Sequence, residues 1–257
     1  MKAAIIQSED KEKATDAPVL VMKNLYKAFG KNKILEDFSL SVQKEENVVV
    51  LGKSGAGKSV LIKCIIGLLK PDKGSITVFG EEVTGLDEDG LAKARMKIGF
   101  LFQANAIYDS MSVRENLEFP LRRHWTDLGE PEVLKLVNEA LENVGLEHTA
   151  DMMPSELSGG MLKRIALART LILKPEIILY DEPTTGLDPI TAREIDQLIL
   201  TLQKKYKTSS IIISHDMNCV KTIADRVVLL LEGKCYADGT YKKLENSSDP
   251  KINQFFQ

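Results

Sequence analysis

The sequence predicts an α/β fold: a parallel sheet covered by helices on both faces and interrupted by a helical insertion. Three observations predict it. Short unbroken apolar runs, Val48–Leu51, Ile177–Tyr180, Ile211–Ile213 and Val227–Leu231, suit strands buried on both faces. Helix-length segments with one apolar face lie between such runs. A glycine-rich stretch, Gly52-Lys53-Ser54-Gly55-Ala56-Gly57-Lys58-Ser59, joins the first run to the helix-like Val60–Gly67.

That stretch carries the clearest chemistry. Strand, glycine-rich turn, Lys-Ser and helix form the context of a phosphate-binding loop. Glycines let several backbone N–H groups turn toward one anion, and the helix N-terminus adds partial positive charge. Lys58 then reaches the β- and γ-phosphates of a nucleotide, and the Ser59 hydroxyl ligates magnesium.

Composition bounds the rest. The 257 residues are 44% hydrophobic and 28% charged, ordinary for a globular protein with a sizeable core. A net charge of −3 and 6% aromatic content argue against a nucleic-acid partner. Cys64, Cys219 and Cys235 lack metal or redox spacing and read as small apolar residues. No signal peptide is expected, because Ser8–Lys13 interrupts the N-terminus with charge. With no run of about 18 apolar residues, any membrane role must come through a partner.

In chain order, residues 1–17 read as a flexible tail ending before Pro18. Val19 and Val21, then Phe38, Leu40 and Val42, alternate with polar neighbours as strands with one buried face do. Lys27-Ala28-Phe29-Gly30 reads as a turn. Phe29 is either core or a flat platform for an adenine ring. Pro71–Gly74 is a turn, Ile76–Phe79 a strand, and Lys97–Phe102 another strand that leads to Gln103. Ser112–Leu121 and Pro131–Val144 are helix-like, the second with Val133, Leu134, Val137, Ala140, Leu141 and Val144 on one face. The helical insertion spans 104–175.

Other stations follow strand ends. After Ile177–Tyr180 come Asp181 and Glu182, adjacent carboxylates that point to different sides and can hold different jobs. Asp181 suits the magnesium shell, and Glu182 suits polarising an attacking water. His215 follows the next apolar run, within reach of a γ-phosphate, and Gln103 offers magnesium a neutral oxygen. Leu157-Ser158-Gly159-Gly160-Met161 precedes a helix-forming run. Ser158 is there either a plain N-cap or part of a second anion site with the glycine N–H groups.

Gly52–Ser59, Gln103, Leu157–Met161, Ile177–Glu182, Asp188 and His215 stand in the order and spacing of the ATP-binding cassette (ABC) ATPases, which residues 18–240 resemble. The resemblance implies a RecA-like core over 18–103 and 176–240, a β-strand subdomain, and a helical subdomain over 104–175. It makes Phe29 the aromatic residue under adenine, Gly52–Ser59 the Walker A loop, and Gln103 the Q-loop residue. It makes Ser158, Gly159 and Gly160 the signature, Asp181 and Glu182 the Walker B pair, Asp188 the D-loop residue, and His215 the switch histidine. ATP and Mg2+ are the implied cofactors. Met161 departs from the family, which mostly has Gln there. That departure, Asn105–Asn116 and Asp249–Phe256 are similar to the Mla-type subfamily, which energises phospholipid movement in bacteria and plastids.

The implied protein is a peripheral ATPase on the cytoplasmic face of the inner membrane. Its implied partners are a second copy, an integral membrane permease and a lipid-binding substrate protein. Ala106, Ile107, Tyr108 and Met111 are expected to meet the permease. The tail 241–257, with Ile252, Phe255 and Phe256 at helical spacing, is expected either to cover its own subunit or to cross to a second. The rival expectations are the ATPase of a small-solute, lipoprotein or drug transporter, and a soluble ABC protein acting on ribosomes or DNA.

Overall fold

Two strands open the described chain: β1 (Leu20–Phe29) and β2 (Asn32–Val42), an antiparallel hairpin turning at Gly30 and Lys31. The computed structural model describes residues 17–256, so the expected tail lies outside them except for Ala17. β3 (Asn47–Leu51) leads through the glycine-rich loop into α1 (Lys58–Ile65). The chain then returns to the first sheet with β4 (Lys73–Val78) and β5 (Glu81–Glu82), giving the order β2-β1-β4-β5.

α2 (Glu88–Met96) and β6 (Ile98–Leu101) precede three helices, α3 (Val113–His124), α4 (Glu130–Glu142) and α5 (Gly159–Leu171). Then β7 (Ile177–Asp181), α6 (Pro189–Tyr206), β8 (Ser209–Ile213), α7 (Met217–Ile223), β9 (Arg226–Leu231) and β10 (Lys234–Gly239) complete the main sheet. Its order is β10-β9-β3-β8-β7-β6, with β10 alone antiparallel. α8 (Tyr241–Glu245) and α9 (Pro250–Phe256) end the described chain.

The apolar runs form strands because both faces are covered, and the pleat divides each run between two cores. Val49, Leu51, Ile178, Tyr180, Ile212, Val227 and Leu229 enter one cluster with α5, α6, α7 and the inserted helices. Their neighbours Val48, Val50, Ile177, Leu179, Ile211, Ile213, Val228 and Leu230 enter the other, against α1 and the antiparallel sheet. Each large aliphatic side chain buried this way contributes about 1.5–3 kcal/mol. The inserted helices share the first cluster with the sheet, so α5 in particular is seated on β6 and α6.

Three local expectations are corrected. Lys27, Ala28 and Phe29 belong to β1, paired with Leu35, Lys33 and Asn32. Register shifts between Leu25 and Ala28 break the alternation by which sequence finds a strand. In β1 the buried residues are Leu20, Met22 and Leu25 and Val21 is half-buried, while Val19, just before the strand, is buried as expected. Leu134 is 44% exposed, one position outside the stripe of Val133, Val137, Ala140 and Leu141. Within the single chain, α9 packs beside the end of β10. Ile252 is buried, the Tyr236 hydroxyl donates to Asp249 at 2.7 Å, and Phe256 meets Tyr241 edge-on with ring centroids 5.4 Å apart.

Candidate functional site

The main sheet places its carboxyl ends on one edge, where α/β sheets form their ligand crevices. β3 supplies the loop. Gly57 caps α1 at φ 103° with no side-chain cap, so the first N–H groups of the helix stay available to an anion. A side chain there would also meet Ile34 Cγ2 at 2.6 Å, and one at Gly52 would meet the Leu230 carbonyl oxygen at 2.8 Å. Lys58 folds into the loop and donates to the carbonyls of Gly52 (2.7 Å) and Lys53 (3.1 Å). Burial lowers its pKa, opposed by the negative charge of Glu182 and Asp181.

β7 supplies the carboxylates. Burial raises the Asp181 pKa, the Glu182 charge adds to the rise, and a hydrogen bond with Ser59 opposes it. Glu182 takes a left-handed backbone, φ 53°, tied by its N–H to Ile213 O at 2.9 Å. A non-glycine residue held there stores strain of the kind found at functional sites. Its Oε2 accepts from Thr185 Oγ1 at 3.1 Å and lies 2.6 Å from Nδ1 of His215. Both contacts fall on Oε2, which leaves Oε1 as the oxygen available to a water.

One cavity joins Gly52, Lys53, Ser54, Gly55, Gly57, Lys58, Ser59, Gln103, Asp181, Glu182 and His215. Ala56 is half-buried behind it. Sequence reasoning did not find Ile34, Met217 and Phe255 on its walls, because each is placed by tertiary packing, nor Thr185, which turns back onto Glu182 three residues before it.

The remaining predicted residues lie apart from this cavity. Phe29 is half-exposed at the end of β1 with Lys27 Nζ 5.6 Å from its ring centre, which rules out the core reading. Ser158 caps α5 by accepting from Met161 N at 3.2 Å, and it and Gly159 are exposed. Asp188 caps α6, accepting from Ile190 N, Thr191 N and the Thr191 hydroxyl. A side chain at Gly160 would meet Thr191 Cγ2 at 2.7 Å, so the heads of α5 and α6 pack together.

Among the described residues no three His, Cys, Asp or Glu side chains gather into a metal cage. Magnesium needs none: it binds through one or two carboxylates, waters and phosphate oxygens. Asp181, Ser59 and the Gln103 amide are hard oxygen donors on one cavity and fit that ion.

A strand-borne anion loop, a buried lysine and a restrained carboxylate at the sheet edge define a nucleoside triphosphatase. The sequence pattern of the ABC transporter family matches residues 35–185, and the chain belongs to that family as an ATP-binding, ATP-hydrolysing subunit. It is 39% identical over 234 residues to the probable ribonucleotide transport ATP-binding protein mkl of Mycobacterium leprae, covering 91% of this chain and 67% of that one. It is 38% identical over 257 residues to the chloroplastic protein trigalactosyldiacylglycerol 3 of Arabidopsis thaliana, covering 93% and 74%. The dimeric post-hydrolysis structure of the ATP-binding cassette MJ0796, bound to ADP and Pi, superposes with a TM-score of 0.78 at 33% identity, covering 86% and 98%.

Proposed function

We propose that this ATPase drives a separate membrane permease that moves phospholipid between bacterial membranes. Met161, standing where most of the family has Gln, carries the lipid reading, and a relative named for a galactolipid supports it. A relative named for ribonucleotide transport supports small-solute transport as the second reading. Among the described residues no helix is long and apolar enough to cross a membrane, so the bilayer part falls to a permease. Its docking surface is the stretch after Gln103. There Tyr108 and Phe119 are exposed, with ring centroids 5.1 Å apart, and Arg169 lies 4.6 Å from the Tyr108 ring centre. The protein then sits peripherally on the cytoplasmic face of the inner membrane, with a lipid-binding substrate protein as a further partner.

The catalytic unit is a head-to-tail homodimer. Ser158, Gly159 and Gly160 form an uncovered helix N-terminus away from the cavity of their own chain, and that dimeric relative supports closure by a second copy. Within each site the loop N–H groups and Lys58 bind and orient the phosphates. Glu182, held by Thr185 and His215, takes the proton of the attacking water. Mg2+, held by Ser59, Asp181 and Gln103, supplies charge neutralisation for the phosphates when bound. The domain division follows the same reading, with a core over 18–103 and 176–240 and a helical subdomain over 104–175. Purifying the native complex tests the proposal: a co-purifying permease and phospholipid are expected, with ATPase activity raised by phospholipid vesicles. Stimulation by ribonucleotide instead supports the second reading.

A further inference from the structure

The segment after Gln103 is held in an unusual way. Asn105 and Ala106 are consecutive non-glycine residues at φ 63° and 54°. Each such backbone is strained and persists only where its surroundings enforce it. The Asn105 Oδ1 is buried without a hydrogen-bond partner, so that side chain does not do the enforcing.

Two cations of α5 grip the segment by its carbonyls. Lys163 Nζ donates to Gln103 O at 3.2 Å, and Arg169 Nη1 donates to Ala106 O at 2.5 Å. Lys163 is only 2% exposed, and burial lowers its pKa with no carboxylate acting on it. A buried ammonium without a counter-charge is destabilising, and methionine would fill the same space without that cost. Packing therefore does not explain the lysine, whereas its bond to the Gln103 carbonyl does. The helix that carries both cations is capped by Ser158, and Gln103 lines the cavity of the glycine-rich loop.

We propose that Lys163, aided by Arg169, is a positioning residue for Gln103. It holds the strained Gln103–Ala106 backbone against α5, so that the Gln103 amide enters the cavity in fixed register with Ser158–Gly160 on the same helix. The inference rests on the assignment of Gln103 to metal and water, and it is independent of the transported cargo.

Steady-state ATPase kinetics of the full chain test it, with Lys163→Met, Gln103→Ala and the double variant compared alongside thermal stability. Misplacing a catalytic group by about 1 Å costs about a hundredfold, so Lys163→Met is expected to lower kcat about ten- to a hundredfold. KM for ATP should stay near the parent value, and Tm should be unchanged or higher because a buried charge is gone. The double variant should be no slower than Gln103→Ala, and Lys163→Arg should recover activity. Should Lys163→Met fail to fold, Lys163→Gln takes its place in the same comparison. A parent-level kcat in the Lys163 variant beside an impaired Gln103→Ala overturns the inference alone, as do multiplicative losses in the double variant. A parent-level kcat in Gln103→Ala removes the Gln103 assignment and the inference with it.

Discussion

Glu182 shows how much one side chain can hold. It follows a strand buried from Ile177 to Tyr180, takes a left-handed backbone and receives Thr185 and His215 on a single oxygen. Glu182→Gln is expected to bind ATP and to hydrolyse it about 100- to 10,000-fold more slowly, as single-turnover kinetics would show. Asp196 sets a second expectation. It is 1% exposed, its Oδ1 has no partner, and burial pushes its carboxyl up to about 6. The folded state thus binds a proton that the unfolded chain has released, between an ordinary aspartate pKa near 4 and about 6. Stability from this group falls as pH rises through that window, because fewer protons are bound in the unfolded state. Asp196→Asn should therefore raise Tm at pH 8 and change it little at pH 4. Asp181, Glu182, Lys58 and His215 were legible in the sequence because each ends a strand or a motif. Lys163 was not, since its role comes from a carbonyl 60 residues away, and Thr185 was not, since its bond depends on the turn after Glu182 rather than on a residue pattern.

At the scale of elements, Arg226 fastens the edge of the fold. From β9 it binds Glu46 at 2.7 Å, Asp238 of β10 at 2.7 Å and the Ser41 carbonyl at the end of β2. Removing Arg226 leaves the partly exposed Glu46 and Asp238 carboxylates without their charged donor, at about 1.5–3 kcal/mol. Arg226→Ala should show that loss in a denaturation midpoint. The C-terminal helix offers a second measurement. Ile252 is buried on its own subunit, so truncation after Ser248 should lower monomer stability by about 1.5–3 kcal/mol. Unchanged stability, with a loosened assembly, would favour the crossing alternative. Strands such as β7 and β8 could be read directly, because burial on both faces demands unbroken apolar runs. The end of β1 could not, because bulges at Leu25–Ala28 erase its period.

For the whole molecule, the two sheets and the inserted helices deliver one cavity and one exposed helix head that does not reach it. The order of motifs showed that both exist. Their separation is a property of the folded chain, visible only once α5 is seated on β6 and α6. Under the proposed head-to-tail dimer, ATP is the glue of the assembly. The most direct test is the mass of the Glu182→Gln protein with and without saturating ATP, by sedimentation or light scattering. A doubling of mass with ATP, abolished by adding Ser158→Arg, is the predicted result. A monomer that binds ATP yet never dimerises, even with its permease present, would contradict it.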